Sequence, residues 1–83
     1  MSYIFVKNEI EKALNRKYNG KLKDFTKFSV EADVQQVLLR LKKEKRIIDF
    51  TPFRVQIKNN IVKVRGDFYI PIGKITLEWE INL

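Results

Sequence analysis

Phe53-Arg54-Val55-Gln56-Ile57-Lys58-Asn59-Asn60-Ile61-Val62-Lys63-Val64-Arg65 is the stretch on which the fold turns. Phe53, Val55 and Ile57 alternate with Arg54, Gln56 and Lys58. Beyond Asn59-Asn60, Val62 and Val64 alternate with Lys63 and Arg65. A period of two places one set of side chains on each face of a strand, so two strands with one apolar face each are expected. Asparagine tolerates the left-handed backbone of a tight hairpin turn, and the Asn pair joins the two strands antiparallel.

Downstream, Gly66 reads as a bulge. Phe68 and Ile70 carry the second strand to a turn at Pro71-Ile72-Gly73. A last strand then puts Ile75, Leu77, Trp79, Ile81 and Leu83 on one face and Thr76, Glu78, Glu80 and Asn82 on the other. Strands are expected at about 47–58, 61–70 and 74–83.

Upstream of Ile47 the period is helical. Tyr3, Val6, Ile10, Ala13, Leu14 and Tyr18 recur at steps of three and four, giving a helix at about 3–18 that Asn19-Gly20 stops. The aromatic and β-branched run Tyr3 to Val6 is equally compatible with an extended arm. Residues 21–28 have no period but contain Leu22, Phe25 and Phe28, aromatic and aliphatic groups expected to fold onto the core. Ser29 reads as the N-cap of a second helix at about 29–46, with Glu31 and Asp33 near the positive end of its dipole. Val30, Val34, Val37, Leu38 and Leu41 share its apolar face.

The expected architecture is therefore α+β: two helices packed on one face of a three-stranded antiparallel meander (ααβββ), one domain over 1–83. Three strands leave two open edges. The last strand has no proline and no lysine after Lys74 to blunt its edge, which leaves it able to pair with a neighbouring chain.

Composition limits the chemistry. The 83 residues contain neither cysteine nor histidine. The commonest metal ligands and general base are thus missing, and the acidic residues are scattered among basic ones. A non-enzymatic protein is expected, with no cofactor, no metal site and no catalytic residues. The longest apolar run, Tyr3 to Val6, is far too short to span a bilayer or form a signal-peptide core, so no membrane partner and a cytoplasmic default are expected.

The charge is +7, with twelve basic and six acidic groups in residues 1–46 against five and four in residues 47–83. Its densest part, Arg40-Leu41-Lys42-Lys43-Glu44-Lys45-Arg46, reads in two ways. Arg40, Lys42, Lys43, Lys45 and Arg46 form either a phosphate-contacting face for nucleic acid or a solvated helix end that complements the dipole. The second is favoured, because no aromatic residue or glycine is interleaved with the cations. Trp79 and Phe68 likewise read as core rather than as base-stacking platforms, since each lies in phase with aliphatic residues of its own strand.

A helix ending in Glu44-Lys45-Arg46-Ile47, followed at once by Ile48-Asp49-Phe50 and the strand pair, resembles a particular family. It is similar to the sheath-initiator proteins of contractile phage tail baseplates, once called lysozyme-like, and to the related C-terminal domain of tail sheath proteins. In that family a Glu-Pro-Arg-Ile type motif ends the helix before a meander, and Lys45 stands here at the place of the proline. The resemblance runs from about Ile10 to Leu83. It implies a structural assembly protein, resident in the virion tail after assembly in the host cytoplasm, that nucleates the first sheath ring by accepting strands from neighbouring sheath subunits. Its partners would be tail sheath and baseplate proteins, with a homo-oligomeric ring only within the assembly. Leu77, Trp79, Ile81 and Leu83 would form the fixed face beneath the accepted strand, and Glu44 and Arg46 a charge-assisted pair holding the helix end. The alternative is a small basic nucleic-acid-binding or regulatory protein.

Overall fold

The computed structural model describes residues 4–18, 26–59 and 61–82. Helix α1 spans Ile4–Tyr18 and α2 Lys27–Lys43; strands β1 Asp49–Phe50, β2 Arg54–Lys58, β3 Ile61–Ile70 and β4 Gly73–Asn82 follow. The chain is α+β, helices first and an antiparallel sheet after, as the change of period implies. Tyr3, the connection 19–25, Asn60 and Leu83 lie outside the described residues. So do the helix stop at Asn19-Gly20 and the expected packing of Leu22 and Phe25.

Helix α1 buries Val6, Ile10, Leu14 and Tyr18, and α2 buries Val30, Val34, Val37, Leu38 and Leu41. Residues Ile4 to Val6 are helical, which settles the choice between helix and arm for that part of the run. The helices are antiparallel and tied at both ends. Near the start of α2, Asp33 accepts from Lys17 Nζ at 3.1 Å and from the Tyr18 hydroxyl. Near its finish, Arg40 and Arg46 reach Glu9 of α1 at 3.5 and 3.6 Å.

The start of α2 differs from the sequence expectation. Thr26, not Ser29, is the N-cap: its hydroxyl accepts from the Ser29 N–H, and the Ser29 hydroxyl accepts from the Thr26 N–H. Two hydroxyl residues three apart form a reciprocal capping box, so the serine is the third helical residue. The helix thereby starts a turn earlier and has no acidic residue in its first turn. Phe28 falls on its outer side, 79 % exposed, and does not fold onto the core.

The end of α2 is a Schellman turn. Lys45 takes the left-handed conformation (φ 63°), its N–H donates to Lys42 O, and Arg46 N–H donates to Leu41 O. Ile47 is then delivered into the core.

The expected first strand is interrupted. β1 pairs with the far end of β3 (Asp49↔Tyr69, Phe50↔Phe68), β2 with its near end (Arg54↔Arg65 through Lys58↔Ile61), and Thr51, Pro52 and Phe53 form the break between them. Proline cannot donate to a ladder, which confines it to such a place. Opposite the break lies Gly66, where a Cβ atom would sit 2.1 Å from Cδ1 of Phe53. Gly66 marks a bulge, but the extra residue lies on the facing strand: Thr51 N–H donates to Asp67 O and Arg54 pairs with Arg65, so Pro52 and Phe53 together oppose Gly66, which itself pairs in register with Leu77. It is the floor on which the Phe53 ring rests. β4 runs along the other side of β3 without interruption, from Ile61↔Asn82 to Ile70↔Gly73.

Candidate functional site: the sheet edges and the basic helix end

β3 is central, and the two edges flanking it differ. On the β2 side, Val55 N–H donates to Glu31 Oε2 of α2 at 3.0 Å. That N–H therefore points away from β3, and an antiparallel ladder alternates, so Arg54, Gln56 and Lys58 turn their backbone groups toward β3. The same alternation carried across β3 gives the even-numbered residues of β3 to β4. Ile75, Leu77, Trp79 and Ile81 face β3 with their N–H and C=O groups, and Lys74, Thr76, Glu78, Glu80 and Asn82 present theirs on the outer edge. The two-residue hairpin turn that closes on the pair Ile70↔Gly73 agrees with that parity. Among the described residues no backbone group is bonded along the outer edge of β4.

The inward face of β4 is also less covered than its neighbours. Val55, Val62, Val64 and Phe68 are fully buried under the helices, whereas Ile75, Leu77 and Trp79 are only half-buried and Ile81 alone on that strand is buried. α2 approaches β2 closely, and neither helix approaches β4 to the same extent. The Trp79 indole Nε1 is shielded from solvent yet donates to no acceptor among the described residues. A shielded, unpaired donor is an uncommon feature in a small fold. Leu77, Trp79 and Ile81 thus share one face beside the free edge, as their spacing implies, while Leu83 lies outside the described residues.

On the outer face of β4, Glu78 is held by Lys63 at 3.2 Å and Arg65 at 3.5 Å, and Thr76 Oγ1 donates to Asp67 Oδ1 at 2.8 Å. Lys74 and Glu80 form no ion pair among the described residues. Arg54 stands directly opposite Arg65, and with Lys58 and Lys63 they make a second basic strip on the exposed face of the two strands.

The charge-rich helix end is arranged differently from the expectation. Arg46 does not pair with Glu44. It reaches Glu9, and its guanidinium lies 4.7 Å from the Phe5 ring centroid. Glu44 is the C-cap of α2 and acts through its backbone N–H, which donates to Arg40 O. A proline could not adopt the φ of 63° at Lys45, so this ending differs in kind from a Glu-Pro-Arg-Ile turn. Lys42 bonds Asp49 of β1 at 3.2 Å. The Phe50 N–H and then Lys42 hold the Asp49 carboxyl below the usual carboxylate range. Of the five cations, Arg40, Lys42 and Arg46 are thus engaged within the chain, while Lys43 and Lys45 carry no ion pair among the described residues.

Among the described residues no three acidic side chains converge on a point that could hold a metal, and no polar or charged residue is buried. Nor, among them, is any helix long and apolar enough to cross a membrane. No protein-family model, curated protein or solved structure matches this chain.

Proposed function

We propose that this chain is a non-enzymatic assembly module whose working surface is the outer edge of β4, which takes up an extended strand from a neighbouring chain. The observation that carries the reading is the contrast between a ten-residue uninterrupted edge and an opposite edge that is broken and capped. Strand addition draws affinity from main-chain hydrogen bonds and specificity from side-chain seats beside them, and the half-buried Ile75, Leu77 and Trp79 supply such seats. A sheath-nucleating protein of a contractile tail baseplate is the setting that the resemblance implies, with tail sheath and baseplate proteins as the neighbours and the virion tail as the final location.

The reading as a nucleic-acid binder draws less support. Three of the five cations in its supposed face already meet Glu9 or Asp49, which leaves fewer charges free for phosphates.

Proline scanning of the edge is the test. The N–H groups of Thr76, Glu78 and Glu80 point outward, so proline there removes a donor from the free edge and spares the β3–β4 ladder. Partners co-purifying with the tagged protein in about 0.5 M salt, where exposed charge contacts are screened, should be lost from all three variants. Retained capture by folded variants, or nucleic acid that salt releases, would overturn the assembly reading.

A further inference from the structure

We infer that the strand seated on the β4 edge of the isolated protein is β4 of a second copy, antiparallel about a two-fold axis at Leu77. The inference rests on reading β4 as a strand-accepting edge, and the registers open to self-pairing are few. Even-numbered residues present their backbone groups outward, so in an antiparallel self-pair even must face even and odd face odd. Each permitted register is then defined by the residue on the axis, which faces its own copy.

With Glu78 on the axis, two glutamates face each other. With Trp79 on it, Glu78 faces Glu80 twice. Like charges directly opposite are destabilising. With Thr76 on the axis, Lys74 meets Glu78, which Lys63 and Arg65 already hold, and Glu80 is left opposite Ile72 beyond the paired segment. With Leu77 on the axis, Lys74 faces Glu80 of the second copy, and the symmetry makes that pair twice. Thr76 faces Glu78. Lys74 and Glu80 are the two charges of β4 that form no ion pair among the described residues, and they are equidistant in sequence from Leu77.

The inward face follows the same axis. Leu77 meets Leu77 of the second copy, and Ile75 of each copy meets Trp79 of the other. A two-fold axis normal to the sheet keeps both helix layers on one side, so the two half-buried strips become one apolar seam between them. The self-pair removes the free edge from both copies at once.

Charge reversal tests the register. Light scattering across a concentration series should show a species of twice 9.9 kDa. Lys74→Glu and Glu80→Lys should each weaken it by at least about ten-fold, because each replaces two attractive facing pairs by two repulsive ones. The double variant Lys74→Glu/Glu80→Lys should return to within about three-fold of the parent, since reversal of both signs restores attraction. Both side chains are exposed, but Glu80 stands opposite Lys63 in the β3–β4 ladder, so circular dichroism of Glu80→Lys verifies the fold before its association is read. A folded protein that stays monomeric to about 1 mM, weaker than specific interfaces usually are, overturns the self-pair. So does a dimer that ignores both reversals. A monomer whose capture of other proteins is still lost on Thr76→Pro leaves the strand-accepting edge standing and removes only the second copy. A monomer whose capture survives that change removes both.

Discussion

The two edges of the sheet have been treated oppositely. Along β1 and β2 the chain breaks its own strand at Pro52, lays the Phe53 ring on Gly66, donates the Val55 N–H to Glu31 of α2 and ties Asp49 to Lys42. Each of these disrupts or occupies a stretch that would otherwise template another chain. Along β4 none of them is present among the described residues, and the strand is twice as long as β2. A domain that breaks or occupies one edge at four places and leaves the other straight has an asymmetric surface, and that asymmetry is what supports the proposed use of the β4 edge.

The contrast can be broken most strongly at Phe53. Phe53→Ala should cost about 3–5 kcal/mol in urea unfolding, the usual range for an emptied aromatic site in a core. Gly66→Ala should cost about 1–3 kcal/mol by overpacking, because the new methyl would collide with the ring. In the Phe53→Ala background Gly66→Ala should cost almost nothing. A double-mutant cycle that finds the two costs additive would show that the ring and the glycine are not coupled.

A smaller effect is expected at Glu31. Glu31→Ala leaves the Val55 N–H without its acceptor and should cost about 1–2 kcal/mol, while concentration-dependent association through β2 appears where there was none. If association is unchanged, the carboxylate is a helix-to-sheet tie and not an edge guard.

The smallest effect concerns pH. The folded Asp49 carboxyl lies below its ordinary range, so its contribution is full above the unfolded pKa and is lost as pH falls through the depressed folded value. Lys17, raised chiefly by its hydrogen bond to Asp33, has the opposite sign: full below the ordinary lysine value, lost as pH rises through the folded one. Both side chains are exposed, and solvent keeps both contributions slight. Asp49→Asn should flatten the acid limb of the stability profile and leave the alkaline limb alone; an unchanged acid limb would assign the tie between β1 and α2 no role in it.

Much of this was legible in the sequence, and what was not has physical reasons. Helix faces and strand phases are periodic and short-range, so Val6, Ile10 and Leu14, Val30, Val34 and Leu38, and Val62 and Val64 fall where their spacing puts them. The Thr26–Ser29 box is ambiguous in the sequence, because two good capping residues three apart each suit the N-cap. Pro52 is a legible signal of the broken strand, since proline cannot donate to a ladder. The partners of the charged residues were not legible. Glu31 meets Val55 across 24 residues, and Arg46 passes over its neighbour Glu44 for Glu9 on the other helix. The open edge of the last strand is legible locally, from its lack of Pro and of Lys after Lys74, whereas the guard on the other edge depends on those distant meetings and is not.

The β3–β4 hairpin has a kinetic consequence. Its ten register pairs are all closed from one two-residue turn, and β2 pairs with β3, so the three long strands pair only with sequence neighbours. Little loop entropy opposes such a sheet, and hairpins of this kind close within microseconds, as helices do. Docking of the helix pair onto the sheet is then the step expected to be slow. Until it happens the whole apolar face of β3 is wet, and refolding yield should fall as protein concentration rises.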